Sequence, residues 1–251
     1  MSENTSSTTS SRATRRAPLE RTTVAIALVF PTVGAWVYFV LLADHPWALT
    51  AYFSAKVLQF ALPLITFWGA WRLLEPQSST SQGTRSANPV RAGLTNGLLV
   101  SLPPLVLYWL FLRGSETATM AAARIAPKLD DFGVGGTASF VVLALLLSIA
   151  HSFLEEYYFR WFLYRRLQGL AGRGAALWIS SLGFMAHHVI VVATYLGPAS
   201  WPLITLFSLG IAASGYIWAW LYQRTGSLVA PWISHMVADL AIMAIGYDLM
   251  F

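Results

Sequence analysis

The chain has 251 residues, 56% of them hydrophobic and only 11% charged, with 11 Trp, a balance that keeps no water-soluble domain of this length in solution. The absence of Cys excludes a disulfide scaffold, Cys-ligated zinc, iron–sulfur and haem-thiolate sites, and a Cys nucleophile. The net charge of +5 does not mark a nucleic-acid partner, because the cations flank apolar stretches instead of forming a patch interleaved with aromatics.

Residues 1–20, "MSENTSSTTSSRATRRAPLE", are rich in Ser and Thr, carry Arg12, Arg15 and Arg16, and have no apolar core; they are expected to form a disordered basic arm, not a signal sequence. Apolar stretches follow at about Thr22 to Ala43, Ala48 to Leu74 and Ala92 to Leu112. Four more lie at about Thr137 to Leu167, Ala175 to Leu196, Trp201 to Tyr222 and Leu228 to Met250. A hydrocarbon core of roughly 30 Å needs about 20 helical residues at 1.5 Å each, so all seven read as spans. The first is expected to serve as an uncleaved signal anchor, and the fourth is long enough to project from the membrane. Between the second and third spans, "EPQSSTSQGTRSANPVR" at 75–91 is expected to be a flexible loop. Before the fourth, "MAAARIAPKLDDFG" predicts a short amphipathic interfacial helix.

The loops divide the cations unevenly. The arm with the adjoining Arg21, the 72–91 loop, the 165–173 loop and Arg224 hold 11 of the 16, whereas the opposite side holds Arg113, Arg124 and Lys128. The positive-inside rule therefore predicts a multi-pass protein of the cell membrane with a cytoplasmic N-terminus. Lys56 and Arg160 are left inside spans.

Charges at the centre of a span cost about 2.5 to 3.5 kcal/mol each on insertion scales, so Glu155, Glu156, Arg160 and Asp239 together would cost on the order of 10 kcal/mol if central. Such groups mark function, and they place the chemistry on the fourth, fifth and seventh spans. Glu155 and Glu156 point about 100° apart on a helix and are expected to do different work. Glu156 and Arg160 have the i,i+4 spacing of an intrahelical ion pair, acid first, which leaves Glu155 to act with His151 one turn away. On the fifth span His187 and His188 diverge in the same way; one is expected to face Glu155, and His187 is expected to be the packing residue. His235 and Asp239, again i,i+4, share a face that suits a ligand pair or a carboxylate orienting an imidazole.

Taken together, E-E-x-x-x-R at 155–160, F-x-x-x-H at 184–188 and H-x-x-x-D at 235–239 resemble the CAAX-protease and bacteriocin-processing (CPBP) family, intramembrane endopeptidases related to the type II CAAX prenyl protease. The resemblance covers about residues 136–250. It implies an all-α polytopic integral membrane protein, a bundle of about seven to eight transmembrane helices around a polar intramembrane cavity. It divides the chain into the arm at 1–20, N-terminal helices and loops at 21–135, and a catalytic core at 136–251.

By motif position it makes Glu155 the base that activates water, has His188 hold that water, and puts His235 and Asp239 across the scissile carbonyl. Glu156, Arg160, His151 and Phe184 become supporting residues. Trp161, where the family usually has Gly, and Asp239, where it often has Asn, depart from the pattern. The expected substrate is a membrane-embedded or lipid-anchored protein or peptide. A metal-free mechanism is expected, with zinc on Glu155, His188 and His235 as the alternative; the H-E-x-x-H signature is absent. A proton-coupled transporter and a non-catalytic scaffold or immunity factor are the rival readings, the first weakened by the lack of an inverted repeat.

Overall fold

A computed structural model describes the backbone of residues 4–71 and 88–251 and the side chains of 18–66 and 88–251. The protein is all-α and polytopic, and among the described residues seven helices are long and apolar enough to cross a membrane. In chain order the helices are α1 (Asn4–Trp36, continued by a π-helical turn at Val37–Leu41), α2 (Ala48–Trp71), α3 (Pro89–Leu107, continued through Tyr108–Leu112) and α4 (Glu116–Asp131). They continue with α5 (Thr137–Ala171), α6 (Arg173–Leu196), α7 (Trp201–Thr225) and α8 (Val229–Met250). All but α4 are spans; α4 is the amphipathic helix expected before the fourth span, capped by Ser115, whose Oγ accepts from Ala118 N at 3.2 Å.

Two boundaries depart from the sequence reading. The backbone is helical from Asn4, through most of the segment expected to be a disordered arm. The helix runs on through Pro18, which has no N–H to donate, and residues 4–17 beyond it contain neither Gly nor Pro. The third span begins earlier than expected because Asn88 caps it, its Oδ1 accepting from Val90 N and Arg91 N at 3.0 and 3.3 Å, with Pro89 in the first turn. Most of the loop expected at 75–91 lies outside the described residues.

Small residues decide how closely the spans approach. Gly93, Gly97 and Ser101 form a small-xxx-small stripe on α3, and α8 lies directly on it. A Cβ at Gly93 would sit 2.7 Å from Ala230 O, and one at Gly97 would sit 2.8 Å from the Cβ of Val237 and 3.2 Å from the Cα of Ser234, the neighbour of His235. The far ends of the same two helices are tied by Asp248, which accepts from Arg113 Nε and Nη2 at 2.9 and 3.0 Å and from Tyr108 Oη at 2.6 Å.

Within α5, π-helical runs at Leu146–His151 and Tyr157–Tyr164 flank the short α-helical segment Ser152–Glu156. Such widened turns shift the helical phase and free carbonyls. Ile149 O, within the first run, accepts from Trp232 Nε1 on α8 at 3.0 Å as well as from Ser152 of its own helix. Tyr158 anchors the other side, donating to Ala27 O on α1 at 2.7 Å.

The α3–α8 contact predicts a steric test. Gly97→Leu should destabilise the protein by about 1–3 kcal/mol or more through overpacking, read as a lower melting temperature in detergent. Gly210→Ala, inside α7 where an added Cβ meets nothing within 4 Å, should not lower it and should raise it slightly, Ala being the better helix former.

Candidate active site

Four spans converge on the carboxylate of Glu155, whose side chain is 3% exposed. From its own helix, His151 Nε2 lies 3.2 Å from Oε1, one turn back as the i,i+4 spacing requires. From α6, His187 Nε2 approaches Oε1 to 3.5 Å, and from α2 Lys56 Nζ approaches it to 3.7 Å. His235 Nε2, on α8, stands 3.9 Å from the other oxygen, Oε2. Glu155 is thus not left unengaged once Glu156 is paired. An acid here costs less than insertion scales charge because protein donors replace the water it has lost.

Glu156 does form the expected pair with Arg160, Nε to Oε2 at 3.1 Å, and both side chains are buried. Its other oxygen has a partner the helical spacing does not reveal: Oε1 lies 2.9 Å from His235 Nδ1. Glu156 therefore bridges the brace on α5 to the imidazole on α8. Arg160 also donates from Nη2 to Gly215 O on α7 at 3.0 Å. Its guanidinium lies over the rings of Phe184 and Trp218, at 4.8 and 5.4 Å from their centroids. Gly215 lies close to both groups, and a Cβ there would make ordinary contacts of 3.4 Å with Phe184 and 3.5 Å with Arg160 Nη2.

Aromatic rings fix the imidazoles. His235 stacks on Trp218 with centroids 4.0 Å apart, and Trp218 Nε1 donates to Ser234 Oγ at 3.0 Å. His235 Nε2 lies 3.5 Å from Asp239 Oδ1, so the i,i+4 pair read from the sequence is formed. Phe184 is the hub: it packs edge-on against Phe159, His187, Trp218 and His235, and lies against the ring of His188. His188 Nδ1 is 2.9 Å from Phe184 O. A carbonyl can only accept, so this nitrogen carries the proton and Nε2 presents a lone pair. Trp161, at the position where the family usually has Gly, stacks on Tyr157 with centroids 5.2 Å apart.

Three members of the cluster are partly exposed. The side chains of Lys56, His151 and Asp239 are 21%, 27% and 28% exposed, against 3% for Glu155 and 0% for Glu156. Lipid is a poor environment for such groups, so this flank suits water. A cavity of about 540 Å³ lies elsewhere, at the Arg113–Asp248 end of α3 and α8.

His187 was expected to be a packing residue, and its stacking on Phe159 at 5.6 Å fits that role. Yet it also faces Glu155, and both of its ring nitrogens are buried without a hydrogen-bond partner. The ligand atoms of Glu155, His187 and His188 lie within 4.8 Å of one another, a donor set that fits a catalytic zinc with an open position. His235 is drawn aside by Glu156 and Asp239. A metal would thus find His187 where the sequence reading put His235.

Breaking the brace should be costly. Arg160→Met leaves Glu156 buried with His235 alone and should destabilise the protein by about 3–5 kcal/mol, whereas the double variant Glu156→Gln/Arg160→Met should recover part of that loss in the same denaturation measurement.

Residues 137–241 match the family model described as type II CAAX prenyl endopeptidase Rce1-like. The matched segment begins with α5 and ends within α8, so it contains every site residue above except Lys56. No curated protein and no solved structure matches the chain.

Proposed function

We propose that this chain, whose residues 137–241 match the Rce1-like type II CAAX prenyl endopeptidases, is an intramembrane endopeptidase that cleaves a membrane-embedded or lipid-anchored protein or peptide with water activated by Glu155. The observation that carries the reading is the convergence of donors from four spans on one buried carboxylate.

In this reading Glu155 accepts a proton from water as the hydroxide oxygen bonds to the scissile carbonyl carbon, and the carbonyl electron pair moves onto oxygen. His188 supports the water: a ring nitrogen lies within 4.8 Å of the Glu155 ligand atom, a gap one water bridges with two hydrogen bonds. His235 stabilises the oxyanion, held in place by Glu156 and by the Trp218 ring. Asp239, beside His235 Nε2, orients that imidazole as a carboxylate, in place of the amide usual in the family. Collapse of the tetrahedral intermediate breaks the C–N bond, and the proton held by Glu155 passes to the leaving amine.

If a metal binds, Glu155, His187 and His188 would hold it, and it would supply Lewis-acid polarisation and a more acidic water. Glu155 as a ligand would then be a poor base. The metal-free reading is preferred because Lys56 and His151 already occupy the Oε1 side of that carboxylate. The cation distribution supports a cytoplasmic N-terminus in the cell membrane.

The test uses purified protein in liposomes and a quenched fluorogenic peptide ending in a farnesylated Cys followed by two aliphatic residues and a terminal residue. Glu155→Gln should lower kcat by about 10²–10⁴, and His188→Ala should lower it markedly. Chelator should leave the wild-type rate unchanged and metal analysis should find no stoichiometric zinc. Wild-type cleavage by Glu155→Gln would overturn the assignment, and chelator-sensitive activity restored by zinc would replace it with the metal mechanism.

A further inference from the structure

We propose that Lys56, on α2 and outside the segment matched by the family model, is a positioning residue of the site. With His151 and His187 it holds Oε1 of Glu155, so that Oε2 is the oxygen that takes the proton from water. The proposal rests on the hydrolytic reading and adds to it a division of work between the two carboxylate oxygens.

The two oxygens of a carboxylate are chemically equivalent, and rotation about the Cγ–Cδ bond exchanges them. A base aimed at one water needs that equivalence broken. Around Glu155 it is broken: Lys56 Nζ, His151 Nε2 and His187 Nε2 lie at 3.7, 3.2 and 3.5 Å from Oε1, while the group facing Oε2 is His235 Nε2, 3.9 Å away. At 3.7 and 3.9 Å neither Lys56 nor His235 is within hydrogen-bond length of the carboxylate, so the asymmetry is one of number and charge: three nitrogens gather at Oε1, and one stands at Oε2, on the side of the oxyanion group.

Lys56 is held for this role by its own helix. Tyr52 and Phe60, four residues to either side, place their rings 5.9 and 5.6 Å from Nζ, a cation–π cradle that directs the flexible stem toward α5. Phe60 also meets the His151 ring edge-on at 6.1 Å, so one aromatic buttresses two of the three groups on Oε1. Lys56 is the ionisable group that the first three spans place inside the bilayer, and among the described residues Glu155 is the acid it meets.

The test compares Lys56→Met, Lys56→Arg and Glu155→Gln in the full chain, in liposomes, with the farnesylated quenched peptide. Lys56→Met should elute and melt like the wild type, lower kcat by about 10- to 100-fold and leave KM within about twofold, the signature of a misdirected catalytic group. Lys56→Arg, which keeps a cation in the cradle, should restore most of the rate. Should the Met variant fail to fold, Lys56→Gln gives the same comparison. A dead Glu155→Gln with wild-type kcat in Lys56→Met overturns the positioning role and leaves the hydrolytic reading standing. A raised KM with unchanged kcat makes Lys56 a substrate-binding group and likewise overturns it, as does an inactive Lys56→Arg that folds. Full activity in Glu155→Gln, or no cleavage by the wild type, overturns both.

Discussion

A carboxylate in the hydrocarbon core is tolerated only where protein groups replace the water it has lost, and the arrangement of this bundle follows from that requirement at Glu155. Donors from α2, α5, α6 and α8 meet around its two oxygens. The neighbouring acid solves the same problem differently. Glu156 lies between a guanidinium on its own helix and an imidazole on α8, and so becomes a strut between spans. The two adjacent acids share one neighbour, His235, whose Nδ1 lies 2.9 Å from Glu156 and whose Nε2 lies 3.9 Å from Glu155; Arg160 belongs to Glu156, and Lys56, His151 and His187 belong to Glu155.

The surrounding fold places those partners. The stripe of Gly93, Gly97 and Ser101 brings α8 against α3 at the level of Ser234 and His235, so the imidazole's depth and rotation are set by backbone contact. Arg160 is tied to α7 by its hydrogen bond to Gly215 O. The π-helical runs on either side of Ser152–Glu156 rephase α5, and the Ile149 carbonyl accepts a further hydrogen bond from Trp232 that ties it to α8. Phe184 then links three imidazoles, Phe159 and Trp218 in one packed aromatic cluster.

Much of this was legible in the sequence because bilayer thickness makes span length nearly deterministic and because in-span charges are too costly to be incidental. The seven spans, the amphipathic α4, the Glu156–Arg160 pair and the His235–Asp239 pair all follow from one-helix periodicities. Contacts between helices did not follow. The Glu156–His235 contact joins residues 79 apart, and Lys56 stood as an unassigned cation because no spacing relates α2 to α5. The assignment of His187 to packing assumed that residues 100° apart cannot both serve one site. Glu155 lies within reach of both rings, because an imidazole extends far enough from its backbone to offset that divergence. The Gly93-x-x-x-Gly97 stripe in the third span is a readable signal for close helix approach, but spacing alone does not say which helix lies on it.

The central claim is that Glu155 hydrolyses peptide bonds within the membrane, and it is tested most directly by the termini of the membrane proteome in cells carrying either the wild-type chain or Glu155→Gln at equal abundance. New termini generated within or beside membrane-embedded or lipid-anchored segments should be present with the wild type and absent with the variant, while the uncut precursors accumulate. Identical sets of termini in the two strains would contradict the account.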